Sequence, residues 1–238
     1  MTRQLPLDLS VRDRPSFENF WAGENGTAFE AARSLAAGHV GPLYLFGPEA
    51  CGKTHLLVAV ARAAQGRGPC AFLSLASAPP AAWEGLVDLP QESVVCVDDM
   101  DALADHADGE RRLFVLFEAL APRRRIVLAG RSNPAGLAVS RDDLRTRLAS
   151  GPIVAMQRLS DEAKAQALRH RASLRGLSLN DAASAYLLAH GPRDPRALFL
   201  LLEDLDRETL ADGRRLTIPY LRAMLARDSG LEPGDSGS

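Results

Sequence analysis

An α/β domain built on a five-stranded parallel sheet flanked by helices, followed by a small all-helical domain, is the fold class that three features of the chain predict. Short apolar runs alternate with helical segments as far as about Gln157, the pattern of a parallel sheet covered by helices. After Leu159 the strands stop and only helical patterns continue. Between the first strand and the first long helix lies GPEACGKT, Gly47 to Thr54, whose spacing and strand–loop–helix setting are those of a phosphate loop.

The elements follow in order. QLPLDL, Gln4 to Leu9, comes first and is apolar, but it is too short for the core of a signal peptide, lacks a small-residue cleavage site and runs into charge, so export is not expected. On composition alone it is either a disordered stub or a tail that packs one Leu on the body. Five strands follow: PLYLF (42–46), AFLSL (71–75), VVCV (94–97), RIVLAG (125–130) and IVAM (153–156). KTHLLVAVARAA and ERRLFVLFEAL between them carry apolar residues at helical spacing. SDEAKAQALRHRASLRG then opens on an N-cap Ser160 with acidic first-turn residues, and three more helical stretches separated by Gly or Pro complete the second domain. The expected division is a terminal peptide at 1–12, the α/β domain at 13–157, the helical domain at 158–228 and a disordered Gly, Ser and acid tail at 229–238.

Composition narrows the function classes. The chain has 238 residues, 46% hydrophobic and 24% charged, with a formal net charge of -2. That is enough for two cores. No apolar stretch reaches the length of a membrane span, and the weakly acidic balance gives little basis for duplex binding. The three cysteines, Cys51, Cys70 and Cys96, are odd in number and lie in or beside apolar strands, which suits free thiols in a reducing cytoplasm.

The phosphate loop has a chemical reason for each residue type. Gly47 and Gly52 let the backbone wrap so that N–H groups face a phosphate, and the helix N-terminus adds a positive dipole end. Lys53 would meet the terminal phosphates and the Thr54 hydroxyl would reach Mg²⁺. Cys51 inside the loop is a small filler. A matching acidic strand end follows in SVVCVDDMDAL: Asp98 would hold the metal's water shell and Asp99 would orient an attacking water. Asp101 reads as a surface residue. Two arginines complete the candidates, Arg147 in DLRTRLASG and Arg196 in RDPRALFLLL. By spacing alone each is a helix-surface charge.

SFENFWAGENGTAFEAA, LYLFGPEACGKTHLL, VVCVDDMDAL, DLRTRLASG, LSDEAKAQALRHRASLRGLSL and LEDLDRETLADGRRLTIPYLRAML together resemble the AAA+ module of the bacterial replication initiator DnaA. Over roughly residues 3–227 the chain is more closely similar to the Hda family, the DnaA-related AAA+ proteins of regulatory inactivation of DnaA. The resemblance implies an AAA+ P-loop fold with a helical lid. It implies a peptide for the polymerase sliding clamp (the β subunit) at Gln4, Leu5, Leu7 and Leu9, and nucleotide binding by Gly47, Gly52, Lys53, Thr54, Asp98 and Arg196. ADP (or ATP) is the expected nucleotide, with Mg²⁺ at Thr54 and Asp98. Arg147 takes the arginine-finger position, Asp99 a catalytic one and Arg196 the second sensor, while Phe17, Phe20 and Asn25 resemble the segment bordering the adenine. The first-sensor position departs from the family's polar or acidic residue: AGRSNP offers Arg131, Ser132 or Asn133.

The function so implied is a cytoplasmic regulator that docks on the DNA-loaded clamp, stimulates hydrolysis of ATP bound to DnaA and prevents re-initiation, alone or as a homodimer. The initiator's helix-turn-helix domain has no counterpart here, so no direct DNA-binding domain and no membrane contact are expected. Two alternatives remain open. One is a self-contained AAA+ ATPase or loader turning over its own ATP; the other is a truncated initiator, which needs a run of basic residues that the sequence lacks.

Overall fold

Strand β1 (Gly41–Phe46) is apolar at every position from Pro42 onward, because a strand covered on both faces has no side to leave wet. Successive residues confirm this: Leu43 and Leu45 point into one core with α1 (Gly26–Ala36) and α2 (Lys53–Ala64), whereas Tyr44 points into the other. A computed structural model describes residues 14–78, 82, 86, 88–90, 92–104, 107–120, 125–212 and 216–228 of the chain. The terminal QLPLDL peptide and the tail 229–238 lie outside them.

The remaining strands are β2 (Cys70–Ser74), β3 (Val94–Asp98), β4 (Arg125–Gly130) and β5 (Ile153–Ala155). All five lie within about a residue of the runs that the sequence predicts. They form one sheet in the order β2-β3-β4-β1-β5, every pairing parallel. α3 (Ala107–Ala119) and α4 (Asp142–Leu148) cover the face opposite α1 and α2. The crossover after β1 therefore leaves on one face and the connection after β4 on the other, although the two strands are neighbours. That arrangement opens a crevice at their carboxyl ends, where ligands of open α/β sheets bind.

The chain divides into two compact units, the first of them Pro15–Arg158. In the second, from Leu159 on, four helices follow: α5 (Asp161–Leu174), α6 (Asp181–His190), α7 (Pro195–Asp212) and α8 (Ile218–Asp228). They enclose a core of Leu168, Leu187, Leu202, Leu205 and Leu221 with their neighbours. Side chains mark three of the starts: Ser160 Oγ accepts from Ala163 N at 3.2 Å, Asn180 Oδ1 from Ala183 N at 2.8 Å and Asp194 Oδ2 from Ala197 N at 3.0 Å. Such caps satisfy donors that the first helical turn leaves without partners. All three cysteines are free thiols.

Candidate nucleotide site

The loop after β1 is built for close approach of backbone. A Cβ on Gly47 would lie 2.2 Å from the Met156 carbonyl oxygen, and one on Gly52, whose φ is +97°, would lie 2.9 Å from the Phe20 ring. Both positions need glycine. Ala50 between them also takes a positive φ of 60°, a conformation that costs an alanine energy and survives only where its surroundings fix it. The loop delivers the chain into α2 at Lys53, so the free N–H groups of the first helical turn face the crevice. Lys53 Nζ donates to the carbonyls of Gly47 and Pro48, both at 2.8 Å, which holds its ammonium over the loop.

Asp98 ends β3 and is 4% exposed. Its Oδ2 accepts from the Thr54 hydroxyl at 2.5 Å and its Oδ1 from the Asp99 amide at 2.9 Å. Burial pushes its carboxyl above the ordinary aspartate range; the Thr54 and Asp99 hydrogen bonds pull against that without cancelling it. Asp99 itself sits at φ +60° and takes a hydrogen bond from Ser74 Oγ at 2.6 Å. Thr54 and Asp98 are thus brought together as oxygen donors. Two protein oxygens of this kind are what an ion such as Mg²⁺ needs when phosphates and water supply the rest; among the described residues there is no group of three or more His, Cys, Asp or Glu that could hold a metal. The glycine cradle, the ammonium and the hydroxyl–carboxylate pair fit a Mg²⁺–nucleotide, which would bring polarised phosphates to this loop.

The segment before α1 closes one side of the site. Phe20 stacks on Phe29 with ring centroids 5.7 Å apart, Phe17 meets Phe29 edge-on and Phe20 lies 5.2 Å from the His55 ring. His55 Nε2–H donates to the Ser16 carbonyl at 3.0 Å. Asn25, 2% exposed, spends both amide atoms on the Gln157 backbone, Nδ2 donating to its carbonyl at 2.9 Å and Oδ1 accepting from its N–H at 2.8 Å. It therefore ties this segment to the end of β5.

The residues after β4 resolve part of what the sequence leaves open. Asn133 Oδ1 caps the following turn by accepting from Gly136 N at 2.9 Å, so its oxygen is committed there. Asp101, read from the sequence as a surface residue, instead accepts from the amides of Arg131 at 2.5 Å and Ser132 at 3.3 Å. It clamps the chain where it leaves the sheet. Arg131 reaches Glu49 of the phosphate loop, Nη1 to Oε1, at 3.3 Å, and Arg158 Nε donates to the Glu49 carbonyl at 2.9 Å. Nothing local in the sequence joins these residues.

Arg147 lies in the last turn of α4. It forms an ion pair with Glu118 and stacks over the Phe114 ring, 5.0 Å from the centroid, with Arg141 over the same ring at 4.8 Å. Phe114, Asp143, Thr146, Arg147 and Ser150 line one surface groove. Glu110, 1% exposed, holds the entry to α4 by accepting from Ser140 N and Oγ, both at 2.9 Å, and from Arg141 N at 3.0 Å. In the second unit Arg196 is exposed in the first turn of α7.

Comparison with known proteins bears on both units. The family model for the bacterial DnaA ATPase domain matches residues 11–74, and that for the lid domain of Hda matches residues 161–225. Domain III of the Thermotoga maritima replication initiation protein DnaA superposes with a TM-score of 0.71 at 18% identity, over 92% of this chain and 98% of that one. AMPPCP-bound DnaA from Aquifex aeolicus gives 0.64 at 21% identity, over 79% and 64% of the two chains. The Thermotoga maritima RuvB Holliday junction branch migration motor gives 0.63 at 20% identity, over 91% and 72%. At such identities the structural likeness establishes the fold, an AAA+ α/β domain followed by a helical lid. No helix among the described residues is long and apolar enough to cross a membrane.

Proposed function

Because the chain is an Hda-like member of the DnaA-related AAA+ proteins, we propose that it is a nucleotide-bound regulator of replication initiation that makes DnaA hydrolyse its ATP. In this reading Gly47, Gly52, Lys53 and Thr54 hold ADP, or ATP, and Asp98 with Thr54 holds the Mg²⁺, while Arg196 of the lid contributes a second cation. Gln4, Leu5, Leu7 and Leu9 dock on the sliding clamp that remains on newly replicated DNA. Arg147 enters the nucleotide site of DnaA, and the initiator is left in its ADP form. A homodimer would place two clamp peptides on one ring, and linked contacts of that kind raise avidity by about 10²–10⁴.

One observation carries the reading: Arg147 sits in the last turn of a surface helix with Glu118 and Phe114 as partners, and not against its own phosphate loop. A guanidinium so placed is not committed to its own nucleotide, and to act on a neighbouring molecule it exchanges Glu118 for that molecule's phosphate. An arginine finger supplied in trans accelerates phosphoryl transfer by about 10³–10⁵. Turnover of the chain's own ATP is the second reading, favoured by Asp99, whose carboxylate follows the metal-side Asp98 and is oriented by Ser74.

Mixing ATP-loaded DnaA with the DNA-loaded clamp and this chain separates the two. Arg147→Ala should abolish stimulated hydrolysis and keep ADP binding. Replacing Gln4, Leu5 and Leu7 together by Ala should remove only the dependence on the clamp. Full stimulation by the Arg147 variant, or ATP turnover by this chain without DnaA, overturns the trans reading.

A further inference from the structure

The amino edge of the sheet gathers two thiols and a cation that nucleotide binding does not use. In its first row Cys70 lies opposite Val94, and Val94 opposite Arg125. Residues across such a row share a face, and alternate residues along a strand return to it. Val94 packs in the core beneath α1 and α2, as does Val127, two positions after Arg125, so Arg125 points to the same side as Cys70. Cys96 joins them there: it lies opposite Phe72, two positions along from Cys70, and is buried in that core.

Arg125 opens the otherwise apolar RIVLAG of β4 and is only 9% exposed. Among the described residues no carboxylate pairs with it. A guanidinium keeps its charge, and one withdrawn from water calls for an anion. The group on which its charge bears is the Cys70 thiol. A hydrogen bond from Cys96 and the Arg125 charge together hold that thiol below the ordinary value of 9.0, against the opposing effect of burial. The other element packed on β2 is α2, whose Lys53, His55 and Arg62 spend their polar atoms on the phosphate loop and on the Ser16 and Pro15 carbonyls. Access then separates the three cysteines. Cys51 and Cys96 are buried, whereas Cys70 is half-buried at the start of an edge strand.

We infer that Cys70 is a modification site, a thiolate held by Arg125 and Cys96 that reacts with hydroperoxides. Its sulfur attacks the terminal peroxide oxygen, which keeps its proton; an S–O bond forms as the O–O bond breaks. The other oxygen leaves as hydroxide or alkoxide and takes a proton from water. Sulfur is oxidised by two electrons to a sulfenic acid, and the peroxide is reduced by two. The Cys96 thiol, which otherwise donates to the Leu57 carbonyl at 3.4 Å, is the donor to the charged sulfur. This chemistry is separate from the nucleotide, because Cys70 opens its strand while the phosphate loop follows the carboxyl end of β1.

Mass spectrometry on the whole folded chain tests this, with Cys51 and Cys96 as internal standards. Iodoacetamide should modify Cys70 first, with a rate–pH midpoint below 9.0, and ADP should leave that rate unchanged. Hydrogen peroxide followed by dimedone should label Cys70 and neither other cysteine, and Cys70→Ser should abolish the label. Arg125→Gln should raise the midpoint and slow alkylation of Cys70 at pH 7 by about tenfold, the thiolate lost per pKa unit; Arg125→Lys, which keeps the charge, should restore most of the rate. A thiol that is merely accessible would keep its midpoint throughout. Melting curves show which variants fold, and should Arg125→Gln not fold, Cys96→Ala carries the same expectation of a raised midpoint. A wild-type midpoint at or above 9.0, a midpoint unmoved in the folded variant, or dimedone on Cys51 or Cys96 in place of Cys70 overturns the assignment.

Discussion

Lys53→Ala separates the part of the phosphate site that belongs to the backbone from the part that belongs to one ammonium. Without nucleotide, the substitution removes the hydrogen bonds to the carbonyls of Gly47 and Pro48 and a weak one to Cys51 Sγ. Lys53 is half-buried and the Pro48 contact is exposed, so water replaces most of what is lost. The expected cost is about 1 kcal/mol or less, a drop of no more than about 2–4 °C in Tm for a chain of this size. With ADP at a hundred times its Kd, the wild-type chain gains about 2.7 kcal/mol, or about 5–11 °C. In the variant the phosphates lose their charged partner. Two charge-assisted bonds at about 1.5–3 kcal/mol each raise Kd by more than a hundredfold. The same ADP concentration then lies at or below the new Kd, and the gain falls to about 0.4 kcal/mol, close to 1 °C. Differential scanning fluorimetry with and without ADP reads all four conditions. Equal ADP-induced shifts in the two proteins would refute the reasoning, because the loop would then bind without its lysine or the nucleotide would sit elsewhere.

Two further predictions follow from buried carboxylates. Asp98 has a raised pKa because burial opposes its charge, so the folded state takes up a proton at higher pH than the unfolded chain. Its ionisation costs stability above the raised folded pKa, and that cost is relieved as pH falls from there towards the ordinary value of 3.8. Asp98→Asn should remove this component in urea titrations across that range, so that its stability relative to wild type improves as pH rises, while Mg²⁺ ceases to tighten nucleotide binding; a pH profile parallel to wild type would contradict the assignment. Glu110→Ala leaves the Ser140 and Arg141 amides without their acceptor and should cost about 1–3 kcal/mol in chemical denaturation, since Ser140 is exposed to water, with Glu110→Gln recovering part; stability within about 0.5 kcal/mol of wild type would show that the entry to α4 is held by other contacts.

How far the sequence discloses this molecule depends on whether a feature is local or created by register. The strands are legible because each is covered on two faces and must be apolar throughout, as in VVCVD of β3, where every residue is buried. The phosphate loop is legible because its glycines, lysine and threonine serve one ligand within eight consecutive positions. Asn25 and Gln157 are different: two backbone-like hydrogen bonds join residues that are 132 positions apart, and neither residue type announces the other. Asp101 shows why most clearly. As the third acid of DDMD it is indistinguishable from a solvated turn residue. In the sheet, Val97 lies opposite Leu128, so each chain leaving the sheet carries its fourth residue onward beside the other's, Asp101 next to Ser132. The carboxylate then meets two amides that the end of β4 has left without strand partners. The same logic, applied to β1 and β4, brings Gly47 alongside Arg131. Polar contacts of this class are consequences of pairing, and a one-residue slip in a pairing would remove the contacts that rest on it. They therefore become readable once a strand order and a register are known, and the residues they select are those immediately beyond the carboxyl ends of the central strands.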